Sequence, residues 1–297
     1  NQNYSVQLTA TGGKPPYSWT VSSGSLPAGL GLDGQTGEIS GVPTATGQVT
    51  FEVTLTDAAS PPQSDTAQFT IAIYDELQIT TTGPLPDGVV GQSYGPVTLS
   101  ATGGKPNYHW NLIQGSLPPG LSWQQVNDEC VISGTPSQTG TWSGIQVTVT
   151  DSSNPQQSDA KTFTISVYDP LQITSPPAGA LTPAVKGQFY GPVQVQATGG
   201  KTPYSWSETT GNLAGFGLTI DASSGEISGT PNQTGTRSFT ARVTDASSPA
   251  QSDTRNYSIE VYDELAITTA SLPDAMEGQS YDTYVDASGG KTPYTWT

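Results

Sequence analysis

This sequence is poor in the residues that most catalytic and metal-binding sites use. Among its 297 residues there is one cysteine, Cys130, and one histidine, His109. A single cysteine forms no intrachain disulfide, and one histidine cannot build a Cys/His zinc cluster. There is also no Ser/His/Asp set and no phosphate-binding glycine loop. The sequence therefore argues against an enzyme, and we expect His109 to face solvent and Cys130 to be incidental.

Basic residues are scarce as well. Nine lysines and arginines stand against 25 aspartates and glutamates, which gives a formal net charge of −16 at pH 7. A protein that binds a nucleic-acid backbone needs clustered Lys and Arg, so this class of partner is excluded. An acidic surface favours solubility and suits divalent cations.

Long apolar stretches are missing too. No run approaches the roughly 20 residues of a membrane-spanning helix, and no stretch keeps the 3.6-residue apolar period of an amphipathic helix. We therefore expect no membrane insertion within this segment and almost no helix. No signal peptide is visible. Because Asn1 falls inside a repeat, we expect any targeting segment to lie outside this stretch.

Glycine and proline are abundant, at 34 and 24 residues, and they fall at fixed places in an internal repeat. A Gly-Gly-Lys block followed by Tyr-x-Trp occurs four times, beginning at Thr11, Thr102, Thr198 and Ser288. Its lysines are 91, 96 and 90 residues apart (105 − 14, 201 − 105, 291 − 201). Such a period suits a small domain and exceeds a solenoid unit. We predict repeat 1 at residues 1–75 (without its first strand), repeat 2 at 76–169, repeat 3 at 170–263, and a partial repeat 4 at 264–297 (first strands only).

Within each repeat, apolar residues occupy alternate positions of short segments. Val49, Phe51 and Val53 alternate with polar residues, and Val6, Leu8 and Ala10 do the same earlier in the repeat. Period two is typical of a strand with one buried face. Seven such strands with turns between them, in about 90 residues, indicate an all-β fold, a Greek-key β-sandwich.

A tryptophan recurs on the third predicted strand. The tryptophan falls at the same alternate positions as the apolar residues of this strand, so we expect Tyr17, Trp19 and Val21 to share one face. The counterparts of Trp19 are Trp110 and Trp206, and all three are predicted to lie in the cores of their sandwiches. Trp123 and Trp142 lack counterparts in the other repeats and are expected at the surface.

Five ordered blocks in each repeat carry a family resemblance: Gly-Gln-x-Tyr, Ala-Thr-Gly-Gly-x-x-x-Tyr-x-Trp, Leu-Pro-x-Gly-Leu, Ile-Ser-Gly-x-Pro and Val-Thr-Asp. The sequence resembles, over essentially its whole length, the immunoglobulin-like (cadherin-like) tandem repeats of large bacterial surface and secreted proteins. The resemblance implies immunoglobulin/cadherin-like Greek-key sandwiches in an extended array, an extracellular or cell-surface location, and a spacer, adhesive or fibre-forming role, often with calcium. Residues 213–218 of repeat 3 lack the proline of the third block, so we expect a different loop there.

Acidic residues recur at the end of the sixth strand, eight residues later and at the junction between repeats. They are Asp57, Asp65, Asp75, Glu76, Asp151, Asp159, Asp169, Asp245, Asp253, Asp263 and Glu264. Ca²⁺ takes about six to eight oxygen ligands, so these residues are candidate calcium ligands, and no other cofactor is expected. Pro170 replaces an acid at the middle junction, where a site would be weaker or absent. Alternatively, the aspartates cap turns through Asx hydrogen bonds.

Three functions are compatible with the sequence. The first is a segment of an extracellular fibre, filament or surface stalk that acts as a spacer and assembles head to tail, with Tyr74, Tyr168 and Tyr262 packing at short junctions. Its partial end repeats fit either a window of a longer array or strand addition between copies. The second is an adhesin that binds glycans or cell-surface ligands through its loops. The third is an accessory module of a secreted hydrolase.

Overall fold

The computed structural model describes residues 3–297, and their regular structure is almost entirely β-strand, as predicted. In repeat 1 the alternating segments form β1 Tyr4–Gln7, β2 Ser18–Ser23, β3 Leu30–Leu32, β4 Glu38–Gly41, β5 Gly47–Thr56 and β6 Ser64–Ile73. They pair in two antiparallel sheets of order β1-β4-β3 and β2-β5-β6.

Repeat 2 contains β7 Gln78–Ile79, β8 Gly88–Val89, β9 Tyr94–Leu99, β10 Ala101–Thr102, β11 His109–Gln114, β12 Leu121–Val126, β13 Glu129–Gly134, β14 Gly140–Thr150 and β15 Ser158–Tyr168. Its sheets have the orders β11-β14-β15-β8, β12-β13-β9 and β10-β7. Strand β8 runs parallel to the end of β15, with Gly88 opposite Val167.

Repeat 3 contains β16 Gln172–Ser175, β17 Gly179–Ala180, β18 Ala184–Val185, β19 Tyr190–Gln194, β20 Gln196–Thr198, β21 Ser205–Thr210, β22 Leu218–Ile220, β23 Glu226–Gly229, β24 Gly235–Thr244 and β25 Ser252–Tyr262. One of its sheets has the order β17-β25-β24-β21, and β18 also pairs with β25. The other two sheets have the orders β19-β23-β22 and β16-β20. A short 3-10 helix, Ala214–Phe216, occupies the loop without the proline, which confirms that this loop differs. In repeat 4, β26 Ala266–Ile267 pairs with β27 Ala287–Ser288.

The prediction of seven strands per repeat is wrong for the two complete repeats. The described residues of repeats 2 and 3 contain nine and ten strands. In repeat 2, one predicted strand is divided between two sheets, since β9 pairs with β13 and β10 pairs with β7. The stretch after β7 adds a further strand, β8, which pairs with β15. Short alternating segments do not show from the sequence which sheet each will join.

Three separate apolar clusters form the cores of repeats 1, 2 and 3. Trp19, Trp110 and Trp206 are only 8 %, 3 % and 5 % exposed, so the prediction of a recurring core tryptophan is confirmed. Trp123 and Trp142 are half-buried and pack against the repeat 2 core, contrary to the expectation that they lie at the surface. A register shift in β14 between Trp142 and Ile145 accompanies the inward placement of Trp142.

Two valines of repeat 1 that were predicted to be buried are exposed. Val21 is 36 % exposed, and a register shift between β2 and β5 begins directly after it, which breaks the alternation of faces. Val6 is 42 % exposed and lies on the edge strand β1, where the described part of repeat 1 has no counterpart of β7. His109 is exposed and Cys130 is buried. Burial raises the pKa of the Cys130 thiol to about 11.

Candidate functional site at the junctions between repeats

The Gly-Gly-Lys block forms a turn that a tyrosine closes. In repeat 3 the hydroxyl of Tyr204 donates a hydrogen bond to the carbonyl of Gly199 at 2.5 Å. The same bond recurs between Tyr17 and Gly12, Tyr108 and Gly103, and Tyr294 and Gly289. From the sequence we assigned these tyrosines only to an apolar face, and their hydrogen-bonding role was missed.

A buried carboxylate holds this turn from the other side. Asp151 is fully buried; its Oδ2 accepts the Lys105 N–H at 2.8 Å, and its Oδ1 accepts the Gln157 N–H at 2.8 Å and the Ser153 hydroxyl at 2.7 Å. Burial alone would raise the pKa of Asp151, but these hydrogen bonds outweigh it and lower the pKa.

The same arrangement recurs in the other two sandwiches. Asp57 accepts the N–H groups of Lys14 and Gln63 at 2.9 and 2.7 Å. Asp245 accepts those of Lys201 and Gln251 at 2.8 and 2.7 Å. These three carboxylates therefore cap turns, as the alternative reading of the sequence proposed.

The second set of recurring acids holds the first strand of each complete repeat. Asp159 Oδ2 accepts the Ile79 N–H at 2.7 Å, and the neighbouring Gln157 Oε1 accepts the Leu77 N–H at 3.0 Å. Repeat 3 has both bonds as well: Asp253 Oδ2 accepts the Ile173 N–H at 2.7 Å, and Gln251 Oε1 accepts the Leu171 N–H at 3.0 Å. The glutamine was missed, although its recurrence at positions 63, 157 and 251 was a visible signal. Asp65 Oδ1 accepts the N–H of the next residue, Thr66.

The junction residues contribute their backbone to the following repeat. The carbonyl of Asp169 accepts the Gly200 N–H at 2.8 Å, and the carbonyls of Asp75 and Asp263 accept those of Gly104 and Gly290 at the same distance. A Cβ on Gly103 would overlap the carbonyl oxygen of Glu76. The first glycine of the block is therefore required because the turn lies directly on the junction backbone.

The structure does not gather the junction carboxylates into one cluster. Asp75, Glu76 and Asp169 are exposed, Asp263 Oδ1 lies 3.7 Å from Lys186 Nζ, and Glu264 Oε1 accepts a hydrogen bond from Gln188 at 3.4 Å. Within residues 3–297, no group of three or more His, Cys, Asp or Glu side chains is placed to hold a metal ion. Calcium binding at these acids stays a prediction. A calorimetric Ca²⁺ titration of the chain that gives neither heat nor a thermal shift would remove it.

A cross-repeat contact joins repeats 2 and 3, and we call it the Asp87 contact. Asp87 Oδ2 lies 3.2 Å from Lys201 Nζ and accepts the Ser248 N–H at 2.9 Å. The Asp87 N–H donates to the Ser248 carbonyl at 2.6 Å. The hydrogen bond to Asp87 raises the pKa of Lys201. This contact could not be predicted from the sequence, because its partners lie in different repeats.

Of the three tyrosines predicted to pack between repeats, Tyr168 does so. The Lys201 ammonium of the next repeat lies 5.7 Å from the centroid of its ring. Tyr74 is 38 % exposed. The hydrogen bond between Tyr262 and Glu260, within one repeat, raises the pKa of Tyr262 to about 12. The packing prediction is thus supported by a contact for Tyr168.

The sequence matches one family of domains three times over. A family model described as "Putative Ig domain" matches residues 1–74, 77–168 and 166–262. The chain belongs to this Ig-domain family. The fold class and the family resemblance inferred from the sequence are both confirmed.

Similar proteins include curated adhesins. The Ig-domain chain is 32 % identical over 170 residues to the "Serine-rich adhesin for platelets" of Staphylococcus aureus strain MSSA476, and 35 % identical over 150 residues to that of strain USA300. The matches cover 57 % and 50 % of this chain but only 7 % and 6 % of the adhesins. The family and these relatives identify an extracellular, surface-type repeat segment, as expected from the sequence.

Solved structures with a similar arrangement include the extracellular cadherin domains 3–6 of protocadherin gamma B2, at a TM-score of 0.34 and 12 % identity, covering 83 % of this chain and 66 % of that one. An endo-fucoidan hydrolase of glycoside hydrolase family 107 matches at a TM-score of 0.30 and 21 % identity, covering 89 % and 42 %. Neither similarity is high enough to say what this chain binds. In residues 3–297, no helix has the length and apolar character needed to cross a membrane.

Proposed function

We propose that the chain is a non-catalytic spacer segment of an extracellular fibre, filament or surface stalk, in which successive Ig-like repeats join end to end. The observation that carries this proposal is the tethering of the short junctions. Between the end of β15 at Tyr168 and the start of β16 at Gln172 there are three residues, and hydrogen bonds engage the first and the last of them. A spacer needs such restraint, because a flexible linker would let neighbouring repeats reorient.

The bonds at this junction come from the following repeat. Asp169 offers its carbonyl to the Gly200 N–H at 2.8 Å and to Gln251 Nε2 at 3.3 Å, while the Leu171 N–H donates to Gln251 Oε1 at 3.0 Å. The junction between repeats 1 and 2 has the corresponding bonds. The Asp75 carbonyl accepts hydrogen bonds from the Gly104 N–H and from Gln157 Nε2, and the Leu77 N–H donates to Gln157 Oε1. Head-to-tail assembly of copies is part of the proposal, since the same turn recurs in all four repeats and its glycine binds the preceding junction in repeats 2, 3 and 4.

The role of the recurring acids supports a structural rather than a chemical function. Asp57, Asp151 and Asp245 direct their oxygens at backbone N–H groups of their own repeats. A general acid or base needs a carboxyl group that reaches a substrate proton. These carboxylates are fully engaged in holding turns.

Electron microscopy of the purified chain tests the spacer role. The expected images show particles of uniform length whose repeats stay in line, and longer head-to-tail filaments at high protein concentration. Particles with freely varying angles at every junction would contradict the proposal. A length distribution from several hundred particles separates the two outcomes.

An adhesive role is the second candidate, and one exposed aromatic favours it. Phe189 is 69 % exposed in repeat 3, where repeats 2 and 4 have Ser93 and Ser280 at the aligned position. Exposed aromatic rings can stack on sugars, and the relatives named above are adhesins. Binding to a glycan array that is lost in Phe189→Ser, and kept in Ser93→Ala, would support this function. No binding by the unmodified chain would dismiss it.

A further inference from the structure

The Asp87 contact joins repeats 2 and 3 in addition to the hydrogen bonds at the short linker between β15 and β16. Each of repeats 1 to 3 presents a docking pole, which we define as the lysine of its Gly-Gly-Lys turn together with the Ser-Pro or Asn-Pro turn that follows β5, β14 or β24. In repeat 3 the pole consists of Lys201 and Ser248, and it receives Asp87 from repeat 2. We propose that this pole is a docking surface for the carboxylate-bearing loop of the preceding repeat, and that the Asp87 contact stiffens the junction between repeats 2 and 3.

The geometry of the contact restrains rotation as well as separation. The backbone N–H of Asp87 donates to the Ser248 carbonyl at 2.6 Å, and its side-chain Oδ2 accepts the Ser248 N–H at 2.9 Å. Lys201 Nζ approaches the same carboxylate oxygen, Oδ2, at 3.2 Å from a different turn. Three bonds to two separate turns fix the direction of the loop, whereas a single exposed ion pair would leave it free to pivot.

Burial strengthens this contact relative to an ordinary surface pair. The Asp87 side chain is 10 % exposed and that of Lys201 is 39 % exposed. The Lys201 ammonium also lies 5.7 Å from the centroid of the Tyr168 ring, so one lysine contacts both the loop and the last strand of repeat 2. In a chain with nine basic residues and a net charge of −16, a lysine shared by two repeats offsets their mutual repulsion.

The position aligned with Asp87 differs in repeat 3. Counting back seven residues from the recurring tyrosine, Asp87 before Tyr94 corresponds to Pro183 before Tyr190. Proline has no N–H and no carboxylate, so it can make neither the donated nor the accepted bonds of the Asp87 contact. Repeats 3 and 4 are joined by other bonds: the Gln188 side chain donates to Glu264 Oε1 at 3.4 Å, and the Gly290 N–H donates to the Asp263 carbonyl at 2.8 Å.

The poles of repeats 1 and 2 bind no carboxylate from another repeat among the described residues. Among the described residues, no hydrogen bond or ion pair joins residues 3–74 to residues 77–169. The poles of repeats 1 and 2 carry Lys14 with Ser60 and Lys105 with Asn154. These poles provide internal references, because they have the same turn chemistry without an Asp87 contact.

Amide hydrogen exchange of the full chain, resolved by NMR, tests the contact. The Ser248 amide should exchange at least ten times more slowly than the amide of Ser60, its counterpart in repeat 1. Asp87→Ala should remove that protection, and Lys201→Ala should reduce it. The matched controls are Asp274→Ala, which changes the aligned acid of repeat 4, and Lys105→Ala; both should leave the Ser248 amide unchanged.

A distance measurement then tests stiffness itself. Spin labels on cysteines introduced at the exposed positions Gln124 and Thr219, in a Cys130→Ala background, report the separation of repeats 2 and 3. The distance distribution should be narrow, broaden in Asp87→Ala and stay narrow in Asp274→Ala. Equal exchange of Ser248 and Ser60, or a distribution unaffected by Asp87→Ala, would overturn the proposal. Both readouts are independent of whether the chain acts as a spacer, so failure of one proposal can be told from failure of the other.

Discussion

The carboxylate of Asp151 lies in the space that the absent side chain of Gly104 leaves open. A Cβ built on Gly104 would come within 2.8 Å of Asp151 Oδ2, and the glycine has a φ of +58°. The corresponding distances from a built Cβ to the carboxylate Oδ2 are 2.9 Å for Gly13 and Asp57 and 2.6 Å for Gly200 and Asp245. A glycine and an aspartate 47 residues apart (151 − 104) thus form one structural unit in repeat 2.

Replacing this glycine should destabilise repeat 2. Gly104→Ala places a methyl group against a buried carboxylate and forces an L-residue into a left-handed conformation, which together should cost about 1–3 kcal/mol. Gly31→Ala is the control in repeat 1, whose stability should hardly change, because a Cβ there meets no atom within 4 Å. The free energy of unfolding of repeat 2, from amide exchange in urea, measures the effect. Equal stability of the two variants would contradict the account of the turn.

The capping aspartates predict loss of stability in acid. Hydrogen bonds lower the pKa of Asp57, Asp151 and Asp245 below the usual 3.8. Because the folded-state pKa is the lower one, this stabilisation is complete above pH 3.8 and is lost as the pH falls through the folded pKa. Thermal unfolding should therefore change little between about pH 7 and 5 and shift to lower temperature below about pH 4.

Removing one capping charge should lower stability at neutral pH. Asp151→Asn replaces charge-assisted hydrogen bonds to backbone N–H groups with neutral ones, and we expect repeat 2 to lose about 1.5–3 kcal/mol. The acid sensitivity of repeat 2 should also decrease, since one group with a lowered pKa is gone. Asp75→Asn, at an exposed side chain, should change neither quantity. A variant as stable as the unmodified chain would show that the caps do not stabilise the fold.

The tyrosine that closes the turn should contribute through its hydroxyl. Tyr108→Phe removes the bond to the Gly103 carbonyl while keeping the ring, so we expect repeat 2 to lose about 1 kcal/mol. Tyr74→Phe is the control, at a ring that is 38 % exposed. Denaturation followed by amide exchange resolves the difference. If both variants were equally stable, the closing bond would have no energetic role.

The recurring tryptophan should contribute to the stability of the fold where its side chain is buried and contribute little where it is exposed. Trp110→Ala removes a side chain that is 3 % exposed and should cost about 3–5 kcal/mol, because it leaves a cavity in the repeat 2 core. Trp296→Ala changes the aligned residue of repeat 4, which is 54 % exposed, and should have little effect. Unfolding in urea, followed by the fluorescence of the remaining tryptophans, compares the two. Similar losses would mean that burial does not set the effect.

Local patterns in the sequence predicted much of the fold. Alternation of apolar residues identified β5, because the two faces of a strand differ in burial at every second residue. Recurrence located the four repeats and the core tryptophans, since each unit repeats the same buried positions. Alternation failed where the register shifts, as at Val21, because a bulge exchanges the faces of a strand.

The sequence by itself determined a tandem all-β chain with one tryptophan-containing core per complete repeat, because strand periodicity and turn residues are properties of neighbouring residues. Only the tertiary structure decided what the recurring aspartates do, which sheet each short strand joins and how Asp87 binds the next repeat. Asp87 and Lys201 lie 114 residues apart and in different repeats. Their pairing depends on how one folded repeat lies against the next, and no local pattern of side chains encodes that geometry.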